Sequence, residues 1–153
     1  MHIAGLLHDL GKLAVDEEIL EKPGPLSPRE FAVIKQHPYF TYHILRDAGY
    51  QEISEWAAFH HEKLDGSGYP FHLTGSELSV PVRIMSLSDI YVALREPRPY
   101  RSGLDHESAV AILRKEAAAR RIDCELTQVV YAIGGVLLEA AASRARAGVS
   151  SFR

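Results

Sequence analysis

The chain reads as an all-α helical bundle. Apolar residues recur at helical spacing along most of its 153 positions, helix-start signals stand ahead of those runs, and no convincing alternating strand pattern or internal repeat appears. "HIAGLLHDL" opens the chain with Ile3, Leu6, Leu7 and Leu10 near one face, and Gly11 is placed to end that helix. In "LSPREF", Ser27 at the N-cap, Pro28 at N1 and Glu30 at N3 form a capping box for a helix through about Gln36. Pro38 predicts a kink or a fresh start, Phe40, Ile44 and Leu45 carry the next helix to a stop at Gly49, and Ser54 caps "SEWAAFHHE". Pro81 starts a helix through "VRIMSLSDIYVAL", and Asp105 caps "HESAVAILRKEAAARR". A last alanine-rich amphipathic helix runs from roughly Glu125 to Ala147, for about six or seven helices in all.

Composition bounds the function. With 46% hydrophobic and 24% charged residues, the chain is expected to form a single domain over 1–153. A net charge of -3 and a pI near 6.2 give no general attraction to a DNA or RNA polymer or to an anionic membrane, so an anionic ligand must be held by local groups. Cys124 is the sole cysteine, which excludes an internal disulfide and favours a reducing, cytoplasmic setting. The longest apolar run, Val129 to Ala142, contains Glu139 and falls short of the roughly 20 residues of a membrane span.

Chemistry concentrates in three places. His8 and Asp9 follow "GLL", His60 and His61 follow "WAAF", and Asp89 sits within "IMSLSDIYVAL". Each sets an imidazole or carboxylate against apolar helical neighbours, as in a metal site built from facing helices. Imidazole and carboxylate donors without thiolate suit Fe, Mn, Zn or a related divalent ion. Any one of these positions alone fits an ordinary capped or core residue better than a ligand; their combination points to metal. Glu62 and Lys63 also fit a solvated helix end, and His2, His43, His72 and His106 read as surface or packing residues.

"HDLGK" at 8–12, "KQHP" at 35–38, "HHEKLDGSGYP" at 60–70, "SLSDIYVAL" at 86–94 and "RPYR" at 98–101 together resemble the HD-GYP family, over about residues 3–130. That resemblance implies an HD-type helical bundle and a bacterial, metal-dependent phosphodiesterase that converts cyclic di-GMP to pGpG or GMP. It implies metal ligands at His8, Asp9, His37, His60, His61 and Asp89, holding two or three divalent ions, Fe or Mn ahead of Zn, Ni or Mg. Asp9 would bridge the ions, and Lys12 would contact the scissile phosphate or the attacking hydroxide. Asp65, Tyr69, Arg98 and Arg101 would contact the cyclic dinucleotide. An upstream sensory or receiver domain and a homodimer are further expectations.

Two departures stand beside the resemblance. Family members carry a further ligand-bearing helix before the HD segment, so the chain is expected to be incomplete at its N-terminus. Val92 stands where a second aspartate is common. Two rival readings follow: an HD phosphohydrolase acting on another nucleotide or phosphate ester, and a degenerate binding or signalling module without turnover.

Overall fold

The computed structural model describes residues 1–97, 102–134 and 136. The expected all-α architecture is present: α1 (His2–Leu7), α2 (Glu17–Leu20), α3 (Pro28–Ile34), α4 (His37–Asp47), α5 (Gln51–Ala58), α6 (Val80–Arg95), α7 (His106–Ala118) and α8 (124–134). Two 3-10 turns, Leu10–Ala14 and Phe59–His61, follow α1 and α5. The only β feature among the described residues is an isolated bridge between Asp65 and Thr74. The basic loop through Arg98 and Arg101, and the expected last helix beyond 136, lie outside the described residues.

Several starts and stops follow the sequence chemistry. Ser27 and Glu30 form the expected reciprocal capping box on α3. Asp105 accepts from Ser108 N at 2.7 Å at the start of α7. Past the end of α4, Tyr50 N donates to Leu45 O at 2.9 Å, closing the helix around Gly49. His106 is a packing residue as expected: its Nε2 donates to Tyr131 O at 3.1 Å, which leaves Nδ1 to accept from the Tyr91 hydroxyl at 2.7 Å.

Two local expectations need correction. α5 begins at Gln51, and Ser54 lies inside it, fully buried, donating to Gln51 O at 2.6 Å. A buried hydroxyl bonding back along its own helix resembles a cap in sequence but serves the interior. α1 ends at Leu7, so Gly11 does not close it; Gly11 sits within the following 3-10 turn, against α4.

α6 carries buried apolar residues on more than one face because it serves two cores. Leu87 and Tyr91 pack with Ala109, Val110 and Leu113 of α7 and with Ile122. Met85 packs with Ala4 of α1, Leu45 of α4 and Ala57 of α5. Each fully buried Leu or Val contributes about 1.5–3 kcal/mol. The second core brings α1, α4, α5 and α6 together; the ends of α1, α4 and α5 carry His8, Asp9, His37, His60 and His61, and the middle of α6 carries Asp89.

Thr41 ties the His8–Gly11 segment to α4. Its hydroxyl donates to His8 O at 3.0 Å and accepts from Gly11 N at 2.8 Å, with Thr41 fully buried. A Cβ at Gly11 would overlap the carbonyl of His37 and the amide of Thr41. The absence of a side chain therefore sets how closely His8 and Asp9 approach His37. Gly11→Ala is expected to destabilise the chain by about 1–3 kcal/mol, seen as a fall in Tm of roughly 2–12 °C. An unchanged melting curve would contradict this contact.

Candidate metal centre

The histidines are aimed by helix ends. His8 Nδ1 donates to Gly5 O at 2.7 Å, His37 Nδ1 to Ile34 O at 2.8 Å, and His60 Nδ1 to Ala57 O. Gly5, Ile34 and Ala57 lie in the last turns of α1, α3 and α5, where backbone carbonyls have no helical partner. A carbonyl only accepts, so each Nδ1 carries the proton and each Nε2 presents a lone pair.

Those Nε2 atoms converge on two carboxylates. Asp9 Oδ1 lies 3.2 Å from His37 Nε2, while Asp9 Oδ2 lies 3.5 Å from His8 Nε2 and 2.6 Å from Lys12 Nζ. Asp89, in the middle of α6, places Oδ1 3.8 Å from His8 Nε2 and Oδ2 3.9 Å from His61 Nδ1. Donor atoms of His37, His60 and His61 lie within 4.8 Å of one another, and so do those of His8, Asp9 and His60. His60 is common to both sets.

Burial lowers the pKa of His60 well below the ordinary histidine value, with the neighbouring His61 adding to the effect. Burial, reinforced by His37, lowers His61 to about 3. Both rings are therefore neutral, the form that ligates metal. Burial also pushes Asp9 upward, but the adjacent His37 ring and the bond from Lys12 outweigh it and keep the carboxylate ionised far below its usual range. Asp89 is raised, chiefly by burial.

This donor set fits a divalent ion. His60 Nε2 and His37 Nε2 are buried without a hydrogen bond, which is costly for a lone pair unless another acceptor of electrons is at hand. Imidazole nitrogens and carboxylate oxygens, without a thiolate nearby, are the donors of a divalent-metal site.

The centre opens into a cleft of about 640 Å³ whose lining includes Lys35, His60, His61, Lys63, Tyr69 and Asp89. One wall is the loop after His61, in which the Tyr69–Pro70 peptide is cis. Tyr69 stacks on His61 with ring centroids 4.8 Å apart, and burial with nearby Asp89 and Asp9 keeps its hydroxyl protonated. At Gly68 a Cβ would strike the backbone of Glu62 and Lys63, so this wall depends on a bare backbone.

Glu62 was open to reading as a solvated end, and the structure overturns that. It is 1% exposed and accepts from Phe71 N at 2.7 Å and Leu73 N at 3.0 Å. Burial raises its pKa against the pull of those amides. Lys63, partly exposed, pairs with Glu116 at 3.1 Å.

The expected site residues thus divide. His8, Asp9, Lys12, His37, His60, His61 and Asp89 come together, and Tyr69 walls the cleft. Asp65 is placed elsewhere: it accepts from Ser67 N at 3.0 Å and Ser67 Oγ at 2.6 Å, faces Arg121 Nε at 3.8 Å, and does not line the cleft. A short carboxylate two residues before a serine closes its own turn. Arg98 and Arg101 fall outside the described residues. Lys35 also lines the cleft, and its spacing of four from Phe31, which lets cation meet ring on one helix face, is the sequence signal for that placement.

A partly buried cluster of imidazoles and carboxylates, gathered largely by helix ends beside an open cleft, defines a metal-site protein of the helical class. A family model described as HD domain matches residues 1–126. The chain belongs to the HD domain family, in its HD-GYP branch. It is 39% identical over 131 residues to a 3′3′-cGAMP-specific phosphodiesterase of Vibrio cholerae, covering 85% of this chain and 30% of that protein. It is 38% identical over 112 residues to a cyclic di-GMP phosphodiesterase of Pseudomonas aeruginosa, covering 71% and 27%. A cyclic di-GMP phosphodiesterase response regulator of Xanthomonas campestris is 37% identical over 116 residues, covering 74% and 31%. The chain thus spans under a third of each of these relatives.

Glu62→Ala should release the loop, because each partly buried amide left unpaired costs about 1–3 kcal/mol. Amide exchange at Phe71 and Leu73, followed by NMR, is expected to accelerate at least about tenfold, and Glu62→Gln, with one acceptor oxygen, should fall between. Unchanged protection in the alanine variant would refute the clamp.

Proposed function

We propose that this domain is a metal-dependent phosphodiesterase that hydrolyses cyclic di-GMP to pGpG or GMP. The observation that carries the reading is the pair of donor sets sharing His60 and opening into the cleft walled by Tyr69. The names of the relatives support a cyclic dinucleotide as substrate. A second reading, 3′3′-cGAMP, is favoured by the Vibrio relative whose similarity extends over 85% of the chain.

His8, Asp9, His37, His60, His61 and Asp89 would hold the ions. The two oxygens of Asp9 face different histidines, as do those of Asp89, an arrangement that suits two ions side by side. Bound divalent ions, for which iron or manganese fits the donors best, supply a nucleophilic water and neutralise phosphate oxygens. Lys12, half-exposed beside Asp9, brings a positive charge to the place where the scissile phosphate would lie. Tyr69, protonated, is a hydrogen-bond donor at the edge of the same space. Arg98 and Arg101 would hold the substrate from the basic loop. We place the domain in the bacterial cytoplasm, within a longer signalling protein that carries a sensory or receiver module.

The test is metal analysis joined to turnover of cyclic di-GMP and 3′3′-cGAMP. His60→Ala removes the donor common to both sets, so bound metal should fall by at least about tenfold in affinity and turnover by about 100-fold or more. Chelation of the wild-type chain should abolish turnover, and re-addition of Mn or Fe should restore it. Full metal content and full activity in His60→Ala would end this reading. Metal without turnover of either substrate would favour a binding module.

A further inference from the structure

One cation in the cleft has no role in the chemistry above. Lys35 follows α3 and precedes His37 by two residues. Its Nζ stands 5.0 Å from the ring centroid of Phe31 and 5.0 Å from that of Tyr69. Tyr69 in turn stacks on His61, so the ammonium rests on rings that lead to the metal ligands.

Lys35 differs from the neighbouring lysines in its counter-charge. Lys12 is bound to Asp9 at 2.6 Å, and Lys63 to Glu116 at 3.1 Å. Among the described residues no carboxylate pairs with Lys35. Aromatic faces attract an ammonium through their quadrupole, yet they leave its charge un-neutralised and offer no oxygen to its three donors. A cation fixed in this way, at the side of a cleft, is matched to an anion brought by the ligand.

A cyclic dinucleotide carries two phosphodiesters on one ring, and only one of them is cut at a time. Resting on the substrate reading above, we propose that Lys35 binds the second, non-reacting phosphodiester while the centre at His8, Asp9 and His60 takes the first. Phe31 and Tyr69 set the position of Nζ before substrate arrives, which limits the freedom lost on binding. A contact to a phosphate that does not react is equally strong before and during reaction, so its loss raises KM and spares kcat. It also has nothing to bind in a substrate with one phosphodiester.

The experiment compares wild type, Lys35→Met and Lys35→Arg on cyclic di-GMP and on bis(p-nitrophenyl) phosphate, which has a single phosphodiester. Lys35→Met should raise KM for cyclic di-GMP about tenfold or more, the value of one charge-assisted bond, with kcat nearly unchanged. Hydrolysis of bis(p-nitrophenyl) phosphate should stay at the wild-type rate, and Lys35→Arg should recover most of the lost KM. Calorimetry of cyclic di-GMP binding to the metal-free chain gives a readout independent of turnover, and Lys35→Met should weaken it by a similar factor. Parallel losses on both substrates would make Lys35 a support of the fold or centre and overturn the proposal. Wild-type kinetics on cyclic di-GMP in Lys35→Met would overturn it too. If the wild-type chain cleaves bis(p-nitrophenyl) phosphate but neither binds nor cleaves cyclic di-GMP, the substrate reading itself has failed, and this proposal with it.

Discussion

Carbonyls left unpaired at helix ends hold the imidazoles of His8, His37 and His60, and the geometry of the centre depends on those three bonds. Each bond links a histidine to the residue three before it, so a chain leaving a helix meets its own last turn. The proton is thereby assigned to Nδ1, ring rotation is locked, and the Nε2 lone pair is turned inward. The helix termini themselves add to the effect. α1, α3 and α5 direct the negative ends of their dipoles toward a place built for cations.

The same convergence loads the metal-free fold with polar groups that lack partners. His37 and His60 are 1% exposed, and their inward nitrogens have no hydrogen bond. Stability has to come from elsewhere, and α6 supplies it by packing on both cores at once. Thr41 and Gly11 then hold the HD segment against α4 through bonds that do not involve the centre. An ion binding the folded donors but not the unfolded chain would add to stability, which couples loading of the site to folding.

The helical class, the caps at Ser27 and Asp105, and the assembled histidines and aspartates were legible in sequence, because each rests on a local pattern or a short motif. Gly11, Ser54, Glu62 and Lys35 were not. Gly11 looks like a helix stop until the carbonyl of His37, twenty-six positions away, is seen against it. Ser54 looks like a cap because burial of its hydroxyl depends on neighbours outside the helix. Glu62 follows His60 and His61 in a polar stretch, and nothing local says that the chain returns to lay the amides of Phe71 and Leu73 on its carboxylate. Asp65 shows the same limit from the other side: its motif points to the substrate, and its carboxylate closes a turn with Ser67. Motif membership locates a segment, but the direction of each side chain is settled by contacts distant in sequence.

Charge explains how a chain with net charge -3 would serve the doubly anionic substrate proposed above. Long-range attraction is absent, so the balance has to be made within the cleft. Burial keeps His60 and His61 neutral, leaving Asp9 and Asp89 as the charged donors. Two divalent ions set against two carboxylates would leave about two positive charges at the centre, with Lys12 committed to Asp9 and Lys35 committed to no acid among the described residues. A fully carboxylate shell would cancel that surplus and repel phosphate, whereas an imidazole-rich shell preserves it. The imidazole-rich shell, aimed by helix-end carbonyls, is thus also what would make the cleft receptive to the phosphodiesters proposed as its substrates.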